Sequence, residues 1–548
     1  MAKKVIAAAL CVALTGCTTM PDGSPGPGSA LKEAFWSDDP CSNNARNIGM
    51  ALGVVGGALL GKAIGDGKTG AMFGGAAIGL LIGGVIGHSM DNRRCELAKI
   101  AKANQLDLQY APIDASGETL DQGQAPADER AIVGMSVNVR DALGDNEQFI
   151  SGSDQLTPRA KSYFAQIAKQ YNPQLEARAL PEVKRKDYLA SMQARKILLI
   201  GHTDDTGASS LNADLSERRA RAVARVLRDN GVPTDHLYYQ GAGETLPIAG
   251  NGDAAGRAHN RRVEIVDMLG GEDGFKRYLE ARQPKYQYYR TAQTSDDAAG
   301  GSREIGKGAA APQTAKVNTP SGRSGKPVSG VKQSDPAIHA ASVVKPDVQP
   351  KSTTTASIDF GGQPMTRANQ ALALGPVAQD DPGFSLIGKA YAADSPLVGS
   401  CSQDRPRQAG SVRSLSDGKA YQVSDHMPGL YNTTWVDKVN GHTIVLNKVS
   451  VLRADARVDS QPEFKVYADY DPGKNRNPKP SVDLRPQVNT YKGKNGVLYR
   501  VFTQGKGGIT CVDLLFPGTG GKVAKSGLLA YANQGRPYVA SIQPKILN

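Results

Sequence analysis

The chain has 548 residues, 65 Lys and Arg against 53 Asp and Glu, a net charge of +12, and 40% hydrophobic residues. That length excludes a single hydrophobic core, so several modules joined by linkers are expected. The basic balance alone would suit a nucleic-acid partner, and the start of the chain argues against one.

Residues 1–17, MAKKVIAAALCVALTGC, place Lys3 and Lys4 before an apolar run from Val5 to Leu14 and then small residues before a cysteine. This is an export signal, too short to span a bilayer. Leu14-Thr15-Gly16-Cys17 resembles the lipobox of bacterial lipoproteins, which implies a signal over 1–16, lipid on Cys17 and a tether over 17–46. Thr18, following that family's sorting pattern, implies an outer-membrane lipid anchor that faces the periplasm. Loss of Lys3 and Lys4 lowers the charge by two, and the remaining cations suit anionic headgroups or a polyanionic wall.

Six cysteines are present. Cys11 leaves with the signal and Cys17 takes lipid, so Cys41, Cys95, Cys401 and Cys511 remain for two disulfides in an oxidising compartment. No zinc-type spacing occurs, and neither a metal nor another cofactor is expected.

From 47 to 90, Gly49, Gly53, Gly57, Gly61 and Gly65 recur in steps of four, and after DGKTG so do Gly75, Gly79, Gly83 and Gly87. Such steps align each set on one helical face, where small residues let backbones pack closely in lipid. Lys62 interrupts the first limb and can snorkel. The ladder resembles the glycine-zipper hairpins of bacterial outer-membrane lipoproteins. A packing device without membrane contact is the alternative, and homo-oligomer formation through the ladder is compatible with either. The hairpin would return the chain to its starting side, bringing Cys41 to Cys95 and leaving Cys401 for Cys511. Residues 91–130 read as a connector, with ELAKIAKANQLDLQ as a short amphipathic helix.

Residues 131–268 carry strand patterns at AIVGMSVNVRD, KILLIGHTD, HLYYQGAG and RRVEIVDM, with helical spacing at 156–171 and in LNADLSERRARAVARVLRDNGV, a β-α-β-α-β unit of α+β class. The second helix has an apolar stripe, Leu211, Leu215, Ala222 and Val226, interrupted by Arg219. An inward guanidinium needs a partner, because an unpaired buried charge is very costly. Asp204, at the end of the preceding strand, is the candidate. The two either close as an ion pair or stand apart and receive a zwitterion at a strand-end crevice.

GHTDDTGASSLNADLSERRARAV, GAGETLPIAGN and GRAHNRRVEI, in that order, resemble the signature of the OmpA-like peptidoglycan-binding family. The resemblance implies that Asp204 and Arg219 bind the free end of meso-diaminopimelate in the wall peptide. Asn212, Leu215 and Arg262 match further pocket positions, and Thr203 and Asn260 match more weakly. A carboxylate would take the ammonium, and an arginine fork the carboxylate. His202 reads as a structural residue. The stretch 173–193, PQLEARALPEVKRKDYLASMQ, is an insertion that could roof the pocket or recruit a partner, and FISGSDQL lacks the aspartate-rich form of relatives.

Residues 289–397 are rich in Ser, Thr, Gly, Pro, Ala and Gln and read as a long disordered linker. Residues 401–548 carry short strand-like runs with turn chemistry, which suggests an all-β C-terminal domain. No nucleophile, carboxylate pair or metal spacing stands out there. The expectation is therefore a noncatalytic tether between outer-membrane lipid and peptidoglycan, with the β domain offered to an envelope protein. Two alternatives stay open: a wall-anchored subunit of a secretion or conjugation apparatus, and a peptidoglycan hydrolase with a catalytic tail.

Overall fold

The structure, a computed structural model, describes residues 92–120, 132–141, 148–282, 357–366 and 400–547 with short gaps, and a few isolated residues between them. The glycine ladder, Cys17 and most of 289–397 lie outside the described residues. Among the described residues no helix is long and apolar enough to cross a membrane.

Helix α1 covers 92–104 and stops at Gln105, whose φ is 53°. The chain then enters β1 (Leu106–Asp114), antiparallel to β2 (Ile132–Asp141). The expected helix thus ends early, and LDLQ is strand: pairing with β2 supplies hydrogen bonds that continuing the amphipathic period could not.

Next come α2 (Pro158–Lys169), capped by Thr157 with Pro158 at its first position, then α3 (Pro173–Arg178) and α4 (Glu182–Met192). β3 (Lys196–His202), α5 (Ser209–Asp229), β4 (Leu237–Gly243), α6 (Ala254–Asn260), β5 (Val263–Met268) and α7 (Gly271–Ala281) complete the first module. Short strands β6 (Gln363–Pro364), β7 (Leu372–Ala373), β8 (Leu397–Val398) and β9 (Arg413–Ser414) follow.

The first sheet has the order β1-β2-β5-β3-β4-β9, with β3 and β4 parallel. Its run KILLI is buried on both faces, as a covered central strand requires. Ile197 and Leu199 pack with Tyr163, Phe164, Val223 and Leu227 of α2 and α5. Leu198 and Ile200 pack with Phe275, Tyr278 and Leu279 of α7, and with Val412 and Ala454 from the tail. The module therefore runs past residue 268, and the tail seals part of its second face.

The tail is a β-sandwich. β10 (Thr433–Val439), β11 (His442–Val449), β12 (Glu463–Tyr467) and β13 (Val482–Leu484) form one sheet with β19 (Lys545–Ile546). β14 (Gln487–Gly493), β15 (Gly496–Phe502), β16 (Ile509–Phe516), β17 (Ser526–Asn533) and β18 (Arg536–Ile542) form the other, with β6 on its edge. Trp435 meets Phe516 between the sheets, ring centroids 4.5 Å apart.

The linker reading needs correction at 357–366. Phe360 is buried in the sandwich core against Tyr531, and β6 pairs with β18. One aromatic residue and a strand edge suffice to dock a segment whose composition reads as tether. Disulfides join Cys41 to Cys95 and Cys401 to Cys511.

Candidate functional site

The site is built at the C-terminal end of β3. His202 is buried and its Nε2 lies 3.2 Å from Glu264. Burial, with the nearby Arg262 charge, lowers its pKa to about 4, so it is neutral and donates to the carboxylate at pH 7. After Thr203, the loop to α5 turns on Asp204, whose Oδ1 accepts the Thr206 N–H at 3.0 Å. This is the local bond by which aspartate nucleates turns. Gly207, at φ 89°, completes the reversal.

Helix α5 lies very close over the sheet. A Cβ on Gly201 would sit 2.1 Å from the Ser216 carbonyl oxygen, and one on Gly241 2.3 Å from that of Ala213. Close approach selects small residues in the first turns of α5, so Ala213, Ser216, Ala220 and Ala224 face the sheet there, while Val223, Val226 and Leu227 bury the last turns. The expected inward stripe holds only at its end, where Val226 is buried: Leu211 is 68% exposed, and Leu215 and Arg219 lie at the rim.

Asp204 and Arg219 do not form an ion pair. Asp204 Oδ2 accepts from Arg261 Nη1 at 2.7 Å. Arg219 Nε donates to the Ser153 carbonyl at 3.0 Å, and its guanidinium lies 4.8 Å from the Phe149 ring centroid. Among the described residues, only Nε of Arg219 is engaged in hydrogen bonding. Burial lowers the Arg219 pKa, partly opposed by Asp154 and Asp204. The FISGSDQL loop thus contributes a ring and a carbonyl to Arg219, contacts that its departure from the relatives' form left open.

Asn212 organises the loop, its Nδ2 donating to Asp204 O (3.4 Å), Thr206 O (3.1 Å) and Glu244 Oε2 (3.0 Å). Thr203 is buried, its amide bonded to the Gly243 carbonyl. Asn260 accepts the Ile248 and Ala249 amides and shapes the neighbouring 248–251 turn. Arg262 is buried. It points inward, with Nε on Asn138 Oδ1 at 2.7 Å and Nη2 on the Leu246 carbonyl at 3.1 Å. Its neighbour Arg261, the residue that caps the end of α6, is partly exposed, and it is the cation beside Asp204.

The insertion does not roof this site. Glu176 of α3 pairs with Arg93, and Asp267 holds Arg195 through bonds of 2.7 and 2.9 Å, at the opposite end of β3. A cavity of about 300 Å³ lies at the seam of the two modules, lined by Arg282, Tyr289, Arg407, Asp455 and Tyr491. Arg282 is forked onto Asp455 (2.8 and 2.7 Å), and Arg407 stacks over Tyr289 at 3.8 Å, so these cations bind the modules to each other. No cluster of metal-ligating residues occurs among the described residues.

Comparison with known proteins places these motifs. Residues 148–261 match the OmpA family model, and residues 48–94 match the model described as glycine zipper. The chain is 34% identical over 146 residues to the outer-membrane lipoprotein YfiB of Pseudomonas aeruginosa, a match covering 27% of this chain and 71% of that protein. It is 30% identical over 145 residues to the peptidoglycan-associated lipoprotein of Legionella pneumophila, covering 23% and 78%. With the peptidoglycan-binding protein ArfA of Mycobacterium tuberculosis it shares 44% identity over 80 residues, 15% of this chain and only 24% of that one.

Proposed function

The chain belongs to the OmpA family, and on that premise we propose that it is an outer-membrane lipoprotein that grips peptidoglycan noncovalently and tethers the membrane to the wall. Lipid on Cys17 and the glycine hairpin hold the membrane side. The loop after β3 holds the wall. The observation that carries the reading is that Asp204 and Arg219 stand unlinked at a strand end, each braced by other groups.

A braced carboxylate and a guanidinium with a free edge are complementary to a molecule bearing an ammonium and a carboxylate on one carbon, such as the free end of meso-diaminopimelate. Bidentate contact to the carboxylate gives geometric selectivity as well as attraction. Neutral or amidated stem peptides would leave one charge unmatched in a partly desolvated site and bind poorly.

The test is co-sedimentation with purified sacculi. Asp204→Ala and Arg219→Ala are each expected to abolish pull-down while circular dichroism stays native. Undiminished pull-down by both variants would overturn the assignment.

A further inference from the structure

We infer that the wall-binding site is assembled from both modules, with Arg405 of the tail acting as a positioning residue for the loop that carries Asp204. The inference rests on the reading of Asp204 and Arg219 given above and deepens it. It makes the β-sandwich part of wall binding, in addition to anything else it presents.

Arg405 reaches back across the modules. Its Nη1 donates to the Gly207 carbonyl at 3.2 Å, and its Nη2 donates to the Asp205 carbonyl and, at 2.6 Å, to Glu244 Oε2. Three acceptors on one guanidinium pin the turn immediately after Asp204. Glu244 is buried, and the same oxygen takes the Asn212 amide that braces Asp204 and Thr206. Arg405 therefore both clamps the loop and neutralises the carboxylate on which the loop's internal brace depends. Burial pushes the Glu244 acid up, and Arg405 is the nearest charge opposing it.

Arg405 is itself held. Asn489 Nδ2 donates to its carbonyl at 2.8 Å, and the preceding Asp404 accepts from Arg500 of β15 at 2.8 Å. Downstream, Gln408 N donates to Ser209 Oγ at 2.7 Å and Gly410 N to the Gly241 carbonyl at 2.7 Å. β9 then extends the first sheet by pairing with Tyr238 and Tyr239. The chain of contacts runs from the sandwich sheet through Asp404 and Arg405 to the Asp204 loop without a gap. A site placed by side chains whose own positions are fixed binds better than one left to loop motion.

The experiment uses the detergent-solubilised full chain and the tripeptide L-Ala-γ-D-Glu-meso-diaminopimelate in calorimetry, with hydrogen exchange of the 205–207 amides read in parallel. Arg405→Ala is expected to weaken affinity roughly tenfold, within the usual range of coupling between sites, and to speed exchange at 205–207. Arg405→Lys keeps the charge without the fork and is expected to fall between. A role confined to joining the modules would lower the melting point of Arg405→Ala and leave the affinity of the folded protein unchanged in both variants, which would sink the inference. Asp204→Ala separates the two levels: if it removes binding while both Arg405 variants match wild type, only the two-module site is wrong, whereas wild-type affinity in Asp204→Ala defeats the underlying reading as well.

Discussion

A buried histidine beside the site sets a pH limit. His202 has a folded pKa of about 4 against an ordinary 6.5. Because the unfolded chain binds the extra proton first, its contribution to stability is complete above about pH 6.5 and is lost as pH falls toward 4, on the order of 3 kcal/mol in all. Urea denaturation at pH 7 and pH 4.5 should resolve that drop, and His202→Gln should shrink it. An equal drop in the variant would move the effect to other groups. Residue identity at the site was partly legible: Asp204, Arg219 and Asn212 sit on the loop and helix where motif order puts them. Which of the adjacent Arg261 and Arg262 reaches Asp204 is not legible in the motif, because it depends on how the chain leaves α6 before β5 begins.

Among the elements, the insertion was visible as extra sequence, and its anchorage was not. α3 and α4 dock through Glu176 into a buried cluster in which Glu176 and Asp267 together neutralise Arg93 and Arg195. Asp267→Ala leaves two buried arginines to share Glu176, one positive charge in excess, and should cost about 3–5 kcal/mol, the range found when one partner of a buried ion pair is removed. Thermal unfolding of that variant checks the value; a shift of a degree or two would mean that water or rearrangement satisfies both cations. Since Arg93 lies two residues before Cys95, the same cluster ties the disulfide next to the glycine ladder onto the first module. β1 and α7 escaped the sequence reading because each depends on a neighbour: β1 on the β2 ladder, and α7 on the second face of the sheet.

For the whole molecule, the sequence suggests a tail separated from the first module by a long linker. Instead Val412, Ala454 and β9 join the first module's core and sheet edge, and Arg282 crosses to Asp455. The sandwich is fastened at its start by Cys401–Cys511, 110 residues apart. Replacing both cysteines by Ala should destabilise the sandwich by about 2–5 kcal/mol, as closing so long a loop restricts the unfolded chain. Guanidinium unfolding followed by the fluorescence of buried Trp435 reports it, and an unchanged midpoint would show that packing around Phe516 suffices. The α+β unit, the four-residue glycine period and the placing of Asp204 and Arg219 near one strand end were legible in the sequence, because each is a local pattern of charge, size or period. That the first turns of α5 set small residues against the sheet, that Asp204 and Arg219 stay apart, and that Arg405 comes to their loop from 200 positions away were decided only by tertiary structure, because close packing and long-range pairing depend on what the fold brings opposite each residue.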